Sequence, residues 1–267
     1  FIKFENEDNT DRIKGSFGIH ASFTVSPKTL DNCVKAMGDM DAGYHIHTAE
    51  GIGDLHDSLN KYGKRVVERL YDANIMGPKS ILVHCIHINE AEMNLLKKTD
   101  SLVVHNPESN MGNAVGCTPI LPMFDKGITI GLGTDGYTND MFESFKVANI
   151  IHKHHLCNPN VAWDESAAML FDNNKVIADR YFDKPLGIIE KNAYADIIIV
   201  EYDSLTPLNE NNINSHLLFG AMGRSVNSTM INGEFVMLNR QIINVDEKEV
   251  LSKSREVATK FWERVGA

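Results

Sequence analysis

The stretch GYHIHTAE, residues 43–50, decides how the rest of the chain reads. A short apolar lead ends in His45-Ile46-His47, and Glu50 follows three residues past His47. Residues two apart in an extended strand share a face, so His45 and His47 point one way and Ile46 the other. Working outward, ILVHCIH (81–87), SLVVHNP (101–107) and ITIGLGTDG (128–136) repeat the form. Each reads as a buried strand with polar groups at its C-terminal end, where parallel α/β folds place their sites.

GSFGIHASFTVSP (15–27) adds another strand, carrying His20. Five strands thus end at or near His20, His47, His84, His105 and Asp135, between 21 and 37 residues apart. A strand plus its crossover helix takes roughly 30 residues, so the spacing predicts parallel βα units. Ser26 as N-cap and Pro27 at N1 start one helix, with Leu30, Cys33, Val34 and Met37 on one stripe. Leu55, Leu59, Tyr62, Val66 and Leu70 predict a second helix, and Asn89 with Glu92 forms a capping box for a third. Residues 107–119 read as a long polar loop, and 141–155 as a helix. Five units are too few for an eightfold barrel, so either the sheet is open or about three strands precede this chain.

Beyond residue 160 the pattern changes. A strand lies within 193–203, Asn232-Gly233 is a hairpin signal between two apolar runs, and Asp246 with Glu249 caps a final helix.

The 267 residues allow a large core, and 43% apolar content is that of an ordinary globular protein. A net charge of -10 and the lack of a Lys/Arg block argue against nucleic acid as a partner. No run of 18 apolar residues exists, so no membrane span is expected. Cys33, Cys85, Cys117 and Cys157 form no CxxC pair and read as free thiols in a reducing compartment, hence a cytoplasmic protein. The opening FIKFENEDNTDR lacks the apolar stretch of a signal peptide and reads as a chain missing its natural start.

Histidine at a strand end is a metal ligand when its tautomer is fixed, and more often a hydrogen-bonded structural group. His47 and Asp135 offer the N and O donors that zinc or iron accepts. Glu50 is placed to move a proton to or from a reacting water, and His84 to polarise a substrate carbonyl or steady the attacking oxygen. His152, His154 and His155 lack the HExxH pattern and read as surface residues.

Taken in order, HIHTAE, VHCIH, VVHNPESNMG, GLGTDG, ADIIIVEYD and GAMGRSVNSTMINGEFVM resemble the amidohydrolase superfamily, on its guanine deaminase and chlorohydrolase side. The resemblance implies an α/β TIM barrel of the metal-dependent hydrolases, of which this chain would be the C-terminal part, about strands 4–8. It implies that part of the barrel in 1–185, part of a small β domain in 186–245 and a C-terminal helix in 246–267. It also implies one divalent metal, most readily zinc with iron as the alternative, held by His47 and Asp135. Catalysis would fall to Glu50, His84 and Asp135, and the substrate side to His20, His105 and Asn110. The implied activity is hydrolytic deamination of a purine-like heterocycle, with other C–N, C–Cl or C–S hydrolysis, or a non-catalytic homologue, as alternatives. The family's H-x-H on its first strand has no counterpart here. The resemblance therefore implies that an N-terminal part of the same protein is required, and that the protein is a homo-oligomer acting on a small molecule.

Overall fold

The computed structural model describes residues 1–6 and 11–266. Residues 7–10 of the polar opening stretch, and residue 267 at the end of the expected last helix, lie outside that description. After a short helix α1 (Ile2–Asn6), the first half alternates strands and helices: β1 (Phe17–Ala21), α2 (Pro27–Met37), β2 (Tyr44–Thr48), α3 (Ile52–Tyr62), α4 (Val66–Asp72), β3 (Ile81–His84), α5 (Glu90–Thr99) and β4 (Leu102–His105). Then come α6 (Pro107–Gly112), α7 (Ile120–Asp125), β5 (Ile130–Leu132) and α8 (Met141–Leu156). The five strands form one parallel sheet in sequential order. Parallel neighbours need a crossover, and helices supply it each time.

Alternation along β2 is the local cause of the site. Tyr44, Ile46 and Thr48 are buried, while His45 is exposed and His47 half-buried. Ile46 sits in register with Ile19 on β1 and Leu82 on β3. These three join Val103 and Ile130 in one hydrophobic cluster with the helix residues Leu30, Leu70, Leu96 and Met123. Full burial of each such side chain contributes about 1.5–3 kcal/mol. At the entry to β2 the chain runs so close to Lys79 that a Cβ on Gly43 would lie 1.8 Å from its carbonyl oxygen. Only glycine fits there.

Two sequence expectations change. The single helix expected from Leu55 to Leu70 is two, because Gly63 takes a left-handed conformation (φ 64) and closes α3. The expected polar loop at 107–119 begins as α6, with Pro107 at its first position. The capping box of α5 forms as expected, and its Glu92 does more than cap. Fully buried, it accepts from Arg65 Nε (2.6 Å), Val67 N–H (3.0 Å) and Asn89 N–H (2.9 Å), tying α4 to α5.

α8 leads through α9 (Asp164–Ala167), a π-helical segment (Ala168–Asn173) and α10 (Asn174–Asp179). A second, antiparallel sheet follows, formed by β6 (Ile197–Val200), β7 (Val226–Ile231), β8 (Glu234–Leu238) and β9 (Gln241–Ile242), with α11 (Ile213–Phe219) between β6 and β7. Asn232 (φ 49) and Gly233 (φ 82) make the β7–β8 turn, both left-handed as a tight hairpin requires. Helix α12 (Glu247–Val265) ends the description, with Asp246 accepting from Glu249 N–H. Among the described residues no helix is long and apolar enough to cross a membrane.

Candidate active site

Beyond the C-terminal ends of β2, β3 and β5 the chain brings four expected residues together. His84 Nε2 lies 3.6 Å from Glu50 Oε2 and 3.8 Å from Asp135 Oδ2. The rings of His47 and His84 are 5.5 Å apart, and those of His20 and His47 5.3 Å. The backbone is strained at this cluster. Ala49 (φ 47), His84 (φ 71), Cys85 (φ 49) and Asp135 (φ 51) all occupy the left-handed region without being glycine, a conformation costing about 1–2 kcal/mol per residue. Hydrogen bonds between the strand exits hold it: Cys85 N–H donates to Thr48 O (3.0 Å), and Ile86 and His87 N–H to Ala49 O (3.2 and 2.9 Å). This lacing places Glu50 beside His84.

Each polar group has a support. Ser109 Oγ donates to Asp135 Oδ2 (2.6 Å) and Gly136 N–H to Oδ1 (2.7 Å). Burial would raise the Asp135 carboxyl, but these hydrogen bonds, with His84 and His47 nearby, hold it below the ordinary carboxylate value. Asn113 Nδ2 is 3.4 Å from Glu50 Oε1. Ala49 N–H donates to Asp54 Oδ2 (2.9 Å), pinning the turn between His47 and Glu50. His84 is 1% exposed, and its Nδ1 is 2.8 Å from Asn110 Oδ1.

The expected substrate-side residues separate. His20 is exposed, with Nδ1 3.2 Å from Thr24 Oγ1, and its ring flanks His47. His105 and Asn110 are both fully buried, behind His84. His152, expected on the surface, is buried too, its Nε2 3.2 Å from His105 Nε2. Ser109, Asn113 and Thr118 support the site without having been singled out in the sequence, and His152 does so against its expected surface place. For His152 a signal exists, since it follows Phe145 and Ala148 at helical spacing on the buried face of α8.

His47 and Asp135 suit a divalent metal in kind, as imidazole and carboxylate donors. In number they fall short, for zinc takes about four ligands. Among the described residues no group of three or more His, Cys, Asp or Glu side chains stands where it could hold a metal ion.

Comparison with known proteins identifies the family. A model of the amidohydrolase family matches residues 1–236. The 5-methylthioadenosine/S-adenosylhomocysteine deaminase of Syntrophomonas wolfei subsp. wolfei is 34% identical over 255 residues, covering 94% of this chain and 59% of that protein. The 5'-deoxyadenosine deaminase of Methanosarcina mazei is 31% identical over 262 residues, covering 96% and 60%. The crystal structure of an adenosine deaminase from Xanthomonas campestris with bound zinc superposes with a TM-score of 0.85 at 26% identity, over 97% of this chain and 59% of that one. The chain thus spans about 59% of the length of the curated relatives it matches.

The family match corrects the expectation of a C-terminal portion. It begins at the first residue and runs to 236, so the amidohydrolase fold occupies almost the entire chain and is not confined to its last strands. Against the expectation of a required N-terminal part stands the match of the family model to residues 1–236 of this chain. Both expectations rest on the count of five strand ends and on the absent H-x-H, neither of which measures how much of this chain the family covers.

Proposed function

The chain belongs to the amidohydrolase family, and on that premise we propose that it serves a metal-dependent hydrolytic deaminase acting on a purine-like heterocycle. The observation that carries the reading is the pair of carboxylates, Glu50 and Asp135, facing one nitrogen of the buried His84 at 3.6 and 3.8 Å. Relatives named as deaminases of adenosine-type nucleosides supply the substrate class.

In this reading His47 and Asp135 are the donors this chain offers to one divalent metal. Zinc matches the donor types and the zinc-bound relative, and iron is also acceptable to them. Such a metal, when bound, acts as a Lewis acid and makes hydroxide available near neutral pH.

The remaining chemistry belongs to the side chains. Glu50, half-buried, takes a proton from the attacking water and returns it to the departing amino nitrogen. The bond from ring carbon to amino nitrogen breaks, a C–O bond forms, and ammonia leaves. Asp135, kept ionised by Ser109 and Gly136, is a second proton acceptor at the same nitrogen of His84. His84 contacts the water or the heterocycle from a fixed position, because Asn110 and burial hold its ring. His20, exposed beside His47, is the substrate-side residue, while His105 and Asn110 act from behind the site.

An ammonia-release screen of adenosine-type nucleosides, run on metal-supplied protein with Glu50→Gln as control, tests the reading. Release that depends on Glu50 supports it. No release from any purine, or equal release by the variant, contradicts it.

A further inference from the structure

Behind His84 lies a closed hydrogen-bond network whose proton positions follow from one fixed point. Thr118, 1% exposed in the segment between α6 and α7, lies with Oγ1 2.9 Å from the backbone carbonyl of His84. A carbonyl can only accept, so the Thr118 hydroxyl donates there. Its single proton is then committed, and toward its other neighbours Thr118 Oγ1 can only accept. Those neighbours are Asn110 Nδ2 at 3.3 Å and His105 Nδ1 at 3.1 Å. Asn110 must therefore turn its NH2 to Thr118 and its Oδ1 to His84 Nδ1, 2.8 Å away. The reverse amide orientation would set two acceptors face to face in a dry site, at the cost of an unsatisfied buried polar group.

We propose that Thr118 is a positioning residue for the reaction: through Asn110 it fixes a proton on His84 Nδ1, so that the ring in its neutral form presents a bare Nε2 to Glu50 and Asp135. Electrostatics alone would favour the opposite tautomer, with N–H toward the two carboxylates. The network overrides that preference. It assigns His84 the part of hydrogen-bond acceptor from the attacking water, and not that of donor to the heterocycle. The proposal rests on the reading of His84 as a group at the reacting end.

The same logic runs outward and locks Thr118 from behind. His105 donates from Nδ1 to Thr118, so in its neutral form its Nε2 is bare and accepts from His152 Nε2, 3.2 Å away. His152 Nδ1 is then bare and accepts the Cys117 thiol proton across 3.2 Å. Burial favours the neutral state of all three. It pushes His105 well below the ordinary imidazole value, with His152 and His84 adding to the effect. It pushes His152 down to about 4, helped by His155 and Lys153, and the Cys117 thiol up to about 11.

Long-range proton–nitrogen NMR on the intact chain, with 15N-labelled histidine and diamagnetic zinc supplied, reads the tautomer directly. Wild-type His84 should carry its proton on Nδ1. Thr118→Val should give the Nε2–H form or a mixture, and Thr118→Ser should restore the Nδ1–H form. With an amino-bearing nucleoside that the protein deaminates as substrate, Thr118→Val should lower kcat by roughly tenfold or more with KM little changed, and Thr118→Ser should recover most of it. An Nε2–H tautomer in the wild type overturns the proposal even if the Val variant fails to fold. So does a His84 tautomer unmoved in a folded Thr118→Val. If the tautomer follows Thr118 but no purine is deaminated, the positioning stands and the deaminase reading fails.

Discussion

Replacing Asp54 with asparagine should remove a pH dependence from the protein's stability. Asp54 is 5% exposed, and its Oδ2 accepts from Ala49 N–H. Burial raises its carboxyl from 3.8 to about 6, with Asp57 adding to the rise and the Ala49 N–H and Arg69 opposing it. Below about pH 3.8 the carboxyl is protonated in both folded and unfolded chains, and no penalty exists. As pH rises toward 6 the unfolded chain releases a proton that the folded chain retains, so stability falls. Above 6 the full cost of ionising the buried group is present, about 3 kcal/mol for a rise of this size. The Asp54→Asn variant keeps an acceptor for Ala49 N–H and has nothing to ionise at that position. Urea denaturation from about pH 3.5 to 7 should therefore show the variant gaining about 3 kcal/mol relative to wild type across that window. Any fixed cost of the buried amide cancels in the comparison. Parallel stability curves for the two proteins would refute the reasoning.

Glu50→Gln should lower deaminase turnover by roughly 10²–10⁴-fold while metal content by elemental analysis stays at the wild-type level; a variant that loses metal would show that Glu50 is a ligand. Asp135→Ala should lose both bound metal and turnover, and retention of metal would remove Asp135 from the donor set. Glu92→Ala breaks a fully buried carboxylate away from Arg65 and two backbone N–H groups, so thermal or urea unfolding should show destabilisation of about 3 kcal/mol or more. A change below about 1 kcal/mol would mean that water or rearrangement replaces those bonds.

The parts of the site that are legible in the sequence are those written in local pattern. Apolar runs ending in His47, His84, His105 and Asp135 mark strand ends because buried parallel strands are near-continuously hydrophobic. Glu50 follows from its offset to His47. The supports are not legible, since Ser109 reaches Asp135 and Thr118 reaches the His84 carbonyl across 26 and 34 residues of chain. Helix α6, which carries Ser109 and Asn110, hides in a polar stretch whose only start signal is Pro107 at N1. His152 hides among the charged and imidazole side chains around it, although Phe145 and Ala148 mark its face of α8 as buried. Gly63 interrupts the stripe from Leu55 to Leu70, and its left-handed backbone ends the first of two helices there. The extent of the family region is misread for a different reason, as neither a count of five strand ends nor an absent ligand motif measures it.

The most direct test of the account is deamination of 5'-deoxyadenosine and adenosine by the metal-supplied protein in water enriched in heavy oxygen, with ammonia and the product's mass both measured. One ammonia should be released per product and one heavy oxygen incorporated at the carbon that lost the amino group, with both signals gone in Glu50→Gln. Intact nucleosides after prolonged incubation, or ammonia release that persists without Glu50, would contradict it.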